Sequence, residues 1–152
     1  MSAYVEHDEV DMLDVRGSLG IIYLAAPYSH ADEAVMKGRV EKVTDVAGKL
    51  IAKGYVVFSP LTYTERIAAR DVLPPVGWYE FDMHFLMKCG AIVVLELDGW
   101  EDSRGIHDEM ELAARLGQNG LPILRLAAGA DPVEHVDKFA IIVHSAKSRS
   151  ET

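Results

Sequence analysis

A single cysteine, Cys89, stands among the 152 residues, so no intrachain disulfide can form and a reducing, cytoplasmic setting is expected. No apolar run reaches the roughly 18–20 residues that span a bilayer. The N-terminal stretch lacks the basic-then-apolar order of a signal peptide. Positive charge is scarce: 15 Lys and Arg face 24 Asp and Glu, for a net charge of −9. That balance argues against holding a nucleic-acid polymer or an anionic membrane by bulk electrostatics. A small anion at a local helix N-terminus stays compatible with it. The six histidines form no His-x-x-x-His pair, and Cys89 has no second cysteine to join it. His107-Asp108-Glu109 has the wrong periodicity to converge from one helix. No metal and no cofactor are therefore expected. Ala25-Ala26-Pro27 stands where a dinucleotide-binding strand would carry G-x-G-x-x-G, and no P-loop occurs. Internal repeats and low-complexity tracts are also missing.

What is present is a core-forming composition: 49% of residues are hydrophobic and 26% charged. Residues 1–18 are acidic and weakly periodic, and read as a flexible arm. Residues 19–152 read as one domain of alternating strands and helices. Ile21-Ile22-Tyr23-Leu24-Ala25 is a short apolar run of β-formers. Ser29 is placed to cap a long helix whose stripe is Met36, Val40, Val43, Ala47 and Leu50, ending at Gly54. Tyr55-Val56-Val57-Phe58 gives a second strand. Residues 61–76 read as an irregular loop with a helical turn near Glu65–Ala69. A helix from about Trp78 to Cys89 precedes the clearest strand, residues 91–97. Another helix starts at Ser103 and stops at Asn119-Gly120, and residues 122–126 form a fourth strand. Asp131-Pro132-Val133-Glu134 is a strong helix start. Strands separated by helices pair in parallel through right-handed crossovers. The pattern predicts an α/β three-layer sandwich with a parallel sheet of four or five strands. Its ligand crevice should lie above the carboxyl ends of the strands.

Two carboxylates break the apolar stripes that border that crevice. Glu109 lies three residues after Ile106, three before Leu112, four before Ala113 and seven before Leu116. At helical period it points the way the core residues point. Asp82 stands in the same relation to Phe85, Leu86 and Cys89. A charge on a buried stripe is costly unless paired or used. Paired carboxylates are standard equipment for glycosidic cleavage. The first strand ends in Tyr23, Ala25, Ala26 and Pro27, followed by Tyr28 and Ser29 at a helix start, whose backbone N–H groups are placed either to seat an anion or simply to be capped by Ser29. Ser103 caps the Glu109 helix. Arg104 is placed either to meet a phosphate or to face solvent, and Asp98 and Asp102 either to reach the ligand or to serve as loop residues. Trp100, in a polar loop, is the better base-stacking candidate, and Trp78 is expected in the core.

Tyr23-Leu24-Ala25-Ala26-Pro27, Asp82, and Ser103-x-Gly105-x-x-x-Glu109-x-x-x-Ala113 together resemble the nucleoside 2-deoxyribosyltransferase superfamily, which includes deoxynucleoside 5′-monophosphate N-glycosidases. The resemblance spans roughly residues 21–126 and is nearest to small bacterial and phage members. It implies a flavodoxin-like, Rossmann-like fold and an N-glycosidase acting on a nucleoside or its 5′-monophosphate. Glu109 would be the nucleophile and Tyr23 would orient it. Asp82 would hold a sugar hydroxyl or assist protonation of the leaving base. Ser103 and Gly105 would hold the 5′-group. It also implies a homodimer or larger homo-oligomer. Base exchange by a deoxyribosyltransferase and a non-catalytic nucleotide sensor are the alternatives. Members that bind phosphate carry small or basic residues after the first strand, where this chain has Pro27-Tyr28-Ser29-His30. Nucleoside and monophosphate therefore both stay open at this point.

Overall fold

The computed structural model describes residues 11–150. Its sheet has four strands, β1 (Ile21–Ala25), β2 (Val56–Phe58), β3 (Ala91–Glu96) and β4 (Ile123–Ala127), in the order β2-β1-β3-β4. Every pairing is parallel: Ile21 lies beside Val56, Ile22 beside Ala91, and Ile92 beside Ile123. The central strands β1 and β3 are covered on both faces, which is why they read as unbroken apolar runs. Alternation then assigns their side chains. Ile22, Leu24, Val93 and Leu95 enter one core, whereas Tyr23, Ala25, Ile92 and Val94 enter the other.

Helices complete the three layers of the expected flavodoxin-like sandwich. On the first face lie α1 (Met12–Gly17), α2 (Glu33–Ala52) and α6 (Pro132–Ser150), packing Val15, Val43, Leu50 and Val136 into the core. On the second lie α4 (Gly77–Leu86) and α5 (Arg104–Arg115), which contribute Met83, Leu86, Ile106 and Ala113. Helix α3 (Pro60–Ala68) packs beside α2, where the Thr44 and Thr62 hydroxyls bond at 2.6 Å. The chain leaves β1 through α2 and leaves β3 through α5, on opposite faces. Their carboxyl ends therefore diverge, and a crevice opens between them. No helix among the described residues is long and apolar enough to cross a membrane.

The elements differ from expectation in four places. Residues 1–10 of the predicted arm lie outside the described residues. Its second half is not loose: Asp11 caps α1, accepting from the Leu13 N–H at 2.9 Å, and Val15 and Leu19 are buried. Arg16 then clamps Asp137 on α6 with two bonds of 2.9 Å, and the Tyr55 hydroxyl donates to the same carboxylate at 2.5 Å. Six residues are too few for periodicity to reveal. Ser29 does not cap α2; Asp32 does, accepting from the Ala34 N–H at 2.9 Å. Residues 26–31 are thereby released as loop. The stretch from Pro60 is a full helix of 9 residues, with the proline in its first turn where a missing N–H is harmless. Helix α5 ends at Arg115, short of Asn119-Gly120. Beyond it Gly117 and Gly120 take φ of +69° and +80°, and the Leu121 N–H turns back to the Ala113 carbonyl at 2.8 Å.

The turn into β3 is sterically closed. A Cβ on Gly90 would lie 2.4 Å from the Leu19 carbonyl oxygen, and the Gly90 N–H already donates to Ile21 at 2.9 Å. Backbone on both sides cannot move aside cheaply. Gly90→Ala is expected to destabilise the fold by about 1–3 kcal/mol or more, read as a lower urea midpoint at unchanged m-value. An unchanged midpoint would show that the β1–β3 junction is looser than this.

Candidate active site

Glu109 lies one helical turn from both Ile106 and Ala113, which are buried in the second core, so α5 turns the carboxyl toward the sheet. The helix is held at its start by Ser103, whose hydroxyl oxygen accepts from the Ile106 N–H at 3.3 Å. Beneath it Tyr23 points up from the middle of β1 with no exposed surface. Its hydroxyl donates a short hydrogen bond to Oε2 of Glu109. Among the described residues no other group bonds that carboxyl. The residue keeps part of its surface exposed, but its carboxyl is desolvated enough to shift strongly. Burial pushes its pKa up to about 8; the Tyr23 bond pulls the other way, and the charges of Asp82 and Asp108 add to the rise. The Tyr23 phenol is itself pushed far above its ordinary range by burial and by facing Glu109.

Asp82 approaches from α4. Met83 and Leu86 anchor that helix in the core, and stacked rings steady it, with Phe85 against Phe58 at 4.3 Å. Burial raises the Asp82 carboxyl to about 6. Its Oδ1 is buried and, alone among the described buried side-chain polar atoms, has no hydrogen-bond partner. Buried oxygens are nearly always satisfied, and one left over in a crevice asks for a ligand. The two carboxyls face one cavity of about 1540 Å³, above the carboxyl ends of β1 and β3.

Most residues singled out from the sequence meet at this cavity. Asp82 and Glu109 line it, as do Ala25 at the end of β1 and Pro27, Tyr28 and Ser29 after it. Asp98, Asp102, Ser103, Arg104 and Gly105 line it from the β3 side. Tyr23 lies beneath the lining and meets it through its bond to Glu109. Arg104 reaches mostly into solvent, its side chain 94% exposed and 4.0 Å from Asp108. A Cβ on Gly105 would meet only Ser103 Oγ, at 3.9 Å, so this glycine leaves the helix start open without being sterically required. The aromatic assignment is reversed. Trp100 does not line the cavity; it packs on the second core with the Arg125 guanidinium 4.7 Å above its ring. Trp78 lines it instead, edge-on to Phe81 at 5.2 Å. The polarity of a loop does not say which way its tryptophan turns, and Arg125 on the neighbouring strand draws this one away.

One residue of the site escaped the sequence reading. Arg39 on α2 is only 9% exposed and lines the cavity. Its Nη1 donates to the carbonyls of Ser29 and Tyr28 at 2.9 and 3.3 Å, and its Nη2 to that of Asp98 at 2.6 Å. It thus ties the loop after β1 to the loop after β3. A Cβ on Gly99, which has φ of +86°, would lie 2.9 Å from Nη2. The signal was available, because Arg39 stands three residues after Met36 and four before Val43 on the stripe of α2.

Fold and crevice together define an α/β protein with a two-carboxyl site at the switch point of its sheet. The chain belongs to the family described as a domain of unknown function (DUF1937), whose model matches residues 20–122. The matched stretch runs from the start of β1 to the edge of β4 and contains Tyr23, Arg39, Asp82, Ser103 and Glu109. No curated protein matches the chain.

A carboxyl with a raised pKa contributes stability fully below its unfolded value, and that contribution is lost as pH rises through the folded one. Glu109→Gln keeps the shape and the acceptor for Tyr23 but cannot ionise. The variant and the parent should melt alike near pH 4.5, and the variant should gain steadily up to about pH 8. Parallel melting curves across that range would contradict a desolvated Glu109.

Proposed function

We propose that this protein is an N-glycosidase that cleaves the base–sugar bond of a nucleoside or nucleotide through a covalent glycosyl–Glu109 ester. The unpartnered, buried Oδ1 of Asp82, beside a glutamate held by a tyrosine, is the observation that carries the reading. The resemblance to the nucleoside 2-deoxyribosyltransferase superfamily points the same way, and the parallel sheet with its crevice between β1 and β3 is compatible with it.

The chemistry follows from the groups in place. Tyr23 fixes Oε2, which leaves Oε1 of Glu109 to attack the anomeric carbon. The carbon–nitrogen bond breaks, its electron pair goes to the base, and the Asp82 carboxyl supplies the proton the base takes. Water then attacks the anomeric carbon and gives its proton to Asp82, and the ester bond breaks to restore the Glu109 carboxylate. Tyr23 stabilises the ionised glutamate that must both attack and leave. The chemistry needs a single proton on the pair, held by Asp82 while Glu109 is ionised. In the empty site, shifts to about 6 for Asp82 and about 8 for Glu109 leave one proton on the coupled pair near neutrality and favour Glu109 as its holder, so the reaction runs through the less populated arrangement, with the proton on Asp82.

A panel of nucleosides and 5′-monophosphates, monitored for free base, tests the activity. Glu109→Ala should lower turnover about 10³-fold or more without unfolding the chain. The pH profile of kcat/KM should be bell-shaped with limbs near pH 6 and pH 8. Asp82→Asn should lower the rate and remove the alkaline limb, leaving a profile that rises to a plateau. No base release from any member of the panel, with tight nucleotide binding, would make the pocket a sensor. Transfer to an added second base would make it a deoxyribosyltransferase.

A further inference from the structure

We propose that Arg39 makes this pocket selective for an anionic ligand, a sugar carrying a phosphate rather than a bare nucleoside. The inference rests on the glycosidase reading for the identity of the sugar, but not for the anion.

Arg39 is nine-tenths buried and lines the cavity. All three of its acceptors are neutral backbone carbonyls, two on the loop after β1 and one on the loop after β3. Among the described residues no carboxylate lies within ion-pair distance of it; Asp98 offers its carbonyl oxygen only. A guanidinium has five N–H donors, so three bonds leave two unused. Carbonyl dipoles solvate such a cation without cancelling its charge. A buried charge without a counter-charge is costly, and its retention beside a ligand crevice points to an anion supplied from outside. Lys42 and Arg66 line the same cavity, also without a carboxylate in ion-pair range among the described residues, whereas Lys37 is engaged by Glu33 at 3.7 Å. Lys42 and Arg66 are exposed, and Glu33, Glu65, Asp98 and Asp102 line the cavity as well, so the buried guanidinium of Arg39 is the cation that sets this wall apart. A ligand with a reacting glycosidic carbon and a phosphate would place the carbon by the two desolvated carboxyls and the phosphate by Arg39. The volume of about 1540 Å³ holds both parts.

Phosphate contact and loop bracing make different predictions. Calorimetric titration of the full chain, carrying Glu109→Gln to prevent turnover, compares 2-deoxyribose, 2-deoxyribose 5-phosphate and inorganic phosphate. The sugar phosphate should bind about tenfold to hundredfold tighter than the sugar, and the gap should shrink as salt is added. Arg39→Met should lower the affinity for both sugars, because the two loops lose their tie, but should lower that for the sugar phosphate about tenfold or more beyond that for the neutral sugar, closing the gap. Arg39→Lys should keep part of it, since the charge remains and the planar fork is lost. A brace that never meets the ligand would instead weaken both sugars equally when replaced, and that result overturns the proposal. So does equal binding of the two sugars by the parent, or no binding of any probe. If Arg39→Met does not fold, the lysine variant and the salt dependence of the parent decide. Arg39-dependent binding of inorganic phosphate without base release from any nucleotide would leave the anion site standing and remove the glycosidase. Base release with no preference for phosphate would do the reverse.

Discussion

The bond from the Tyr23 hydroxyl to Glu109 joins the middle of the sheet to the helix that follows β3, and the site is organised around it. Tyr23 has no exposed surface, so its phenol must find an acceptor on the inner side of the helical layer. Glu109 is that acceptor only if α5 lies with Ile106 and Ala113 against the sheet, one turn to either side. That orientation depends on where the helix begins, which Ser103 sets. It also depends on the crossing of the chain from β3 to β4, which puts α5 on the face of Tyr23 rather than on that of Leu24. A tyrosine one residue earlier or later along β1 would point into the other core and never meet the carboxyl.

The periodicities of 2 and 3.6 made this much readable in advance. The four strands, their parallel order and the three layers follow from unbroken apolar runs separated by striped helices. Glu109 and Asp82 stood out because each interrupts a stripe that is otherwise apolar. The same rule applied to α2 would have found Arg39, between Met36 and Val43, but a long side chain on a stripe is usually taken to snorkel outward. Its partners are backbone carbonyls from loops some ten and sixty positions away, and no residue type betrays a carbonyl. Helix α1 was hidden for a related reason. Its stability comes from burying Val15 and from the Arg16–Asp137–Tyr55 contacts, which link positions far apart in the chain.

Loop geometry was the least readable part. Ser29 and Asp32 are both good caps, and the choice between them turns on which lets Arg39 reach the freed carbonyls of Tyr28 and Ser29. Starting the helix at Asp32 leaves residues 26–31 as backbone that needs partners, and the guanidinium supplies two of them. The reversal of the tryptophans has the same character. Arg125, beside Glu96 at 2.5 Å, holds the ring of Trp100 from above and keeps it out of the cavity. Trp78, at the open start of α4, is left to form the wall.

The cavity and the contacts beneath α1 carry different loads. Around the cavity, two carboxyls are desolvated, a fully buried oxygen of one has no partner, and a guanidinium has only neutral ones. Each arrangement lowers the stability of the ligand-free fold. Away from the cavity the first core is almost wholly apolar among the described residues, and an ionic cluster at its margin satisfies its own members. Arg16 grips Asp137 with its Nε and Nη2, Tyr55 donates to the same carboxylate, and the carboxyl is held below its usual range chiefly by the arginine. These charged groups at the cavity and beneath α1 thus have opposite relations to their surroundings: satisfied by neighbours under α1, held short of partners at the cavity. The satisfied contacts beneath α1 offset part of what the unsatisfied groups at the cavity cost the empty fold. The unsatisfied groups are the ones a ligand would complete, so binding and folding draw on the same unmet interactions.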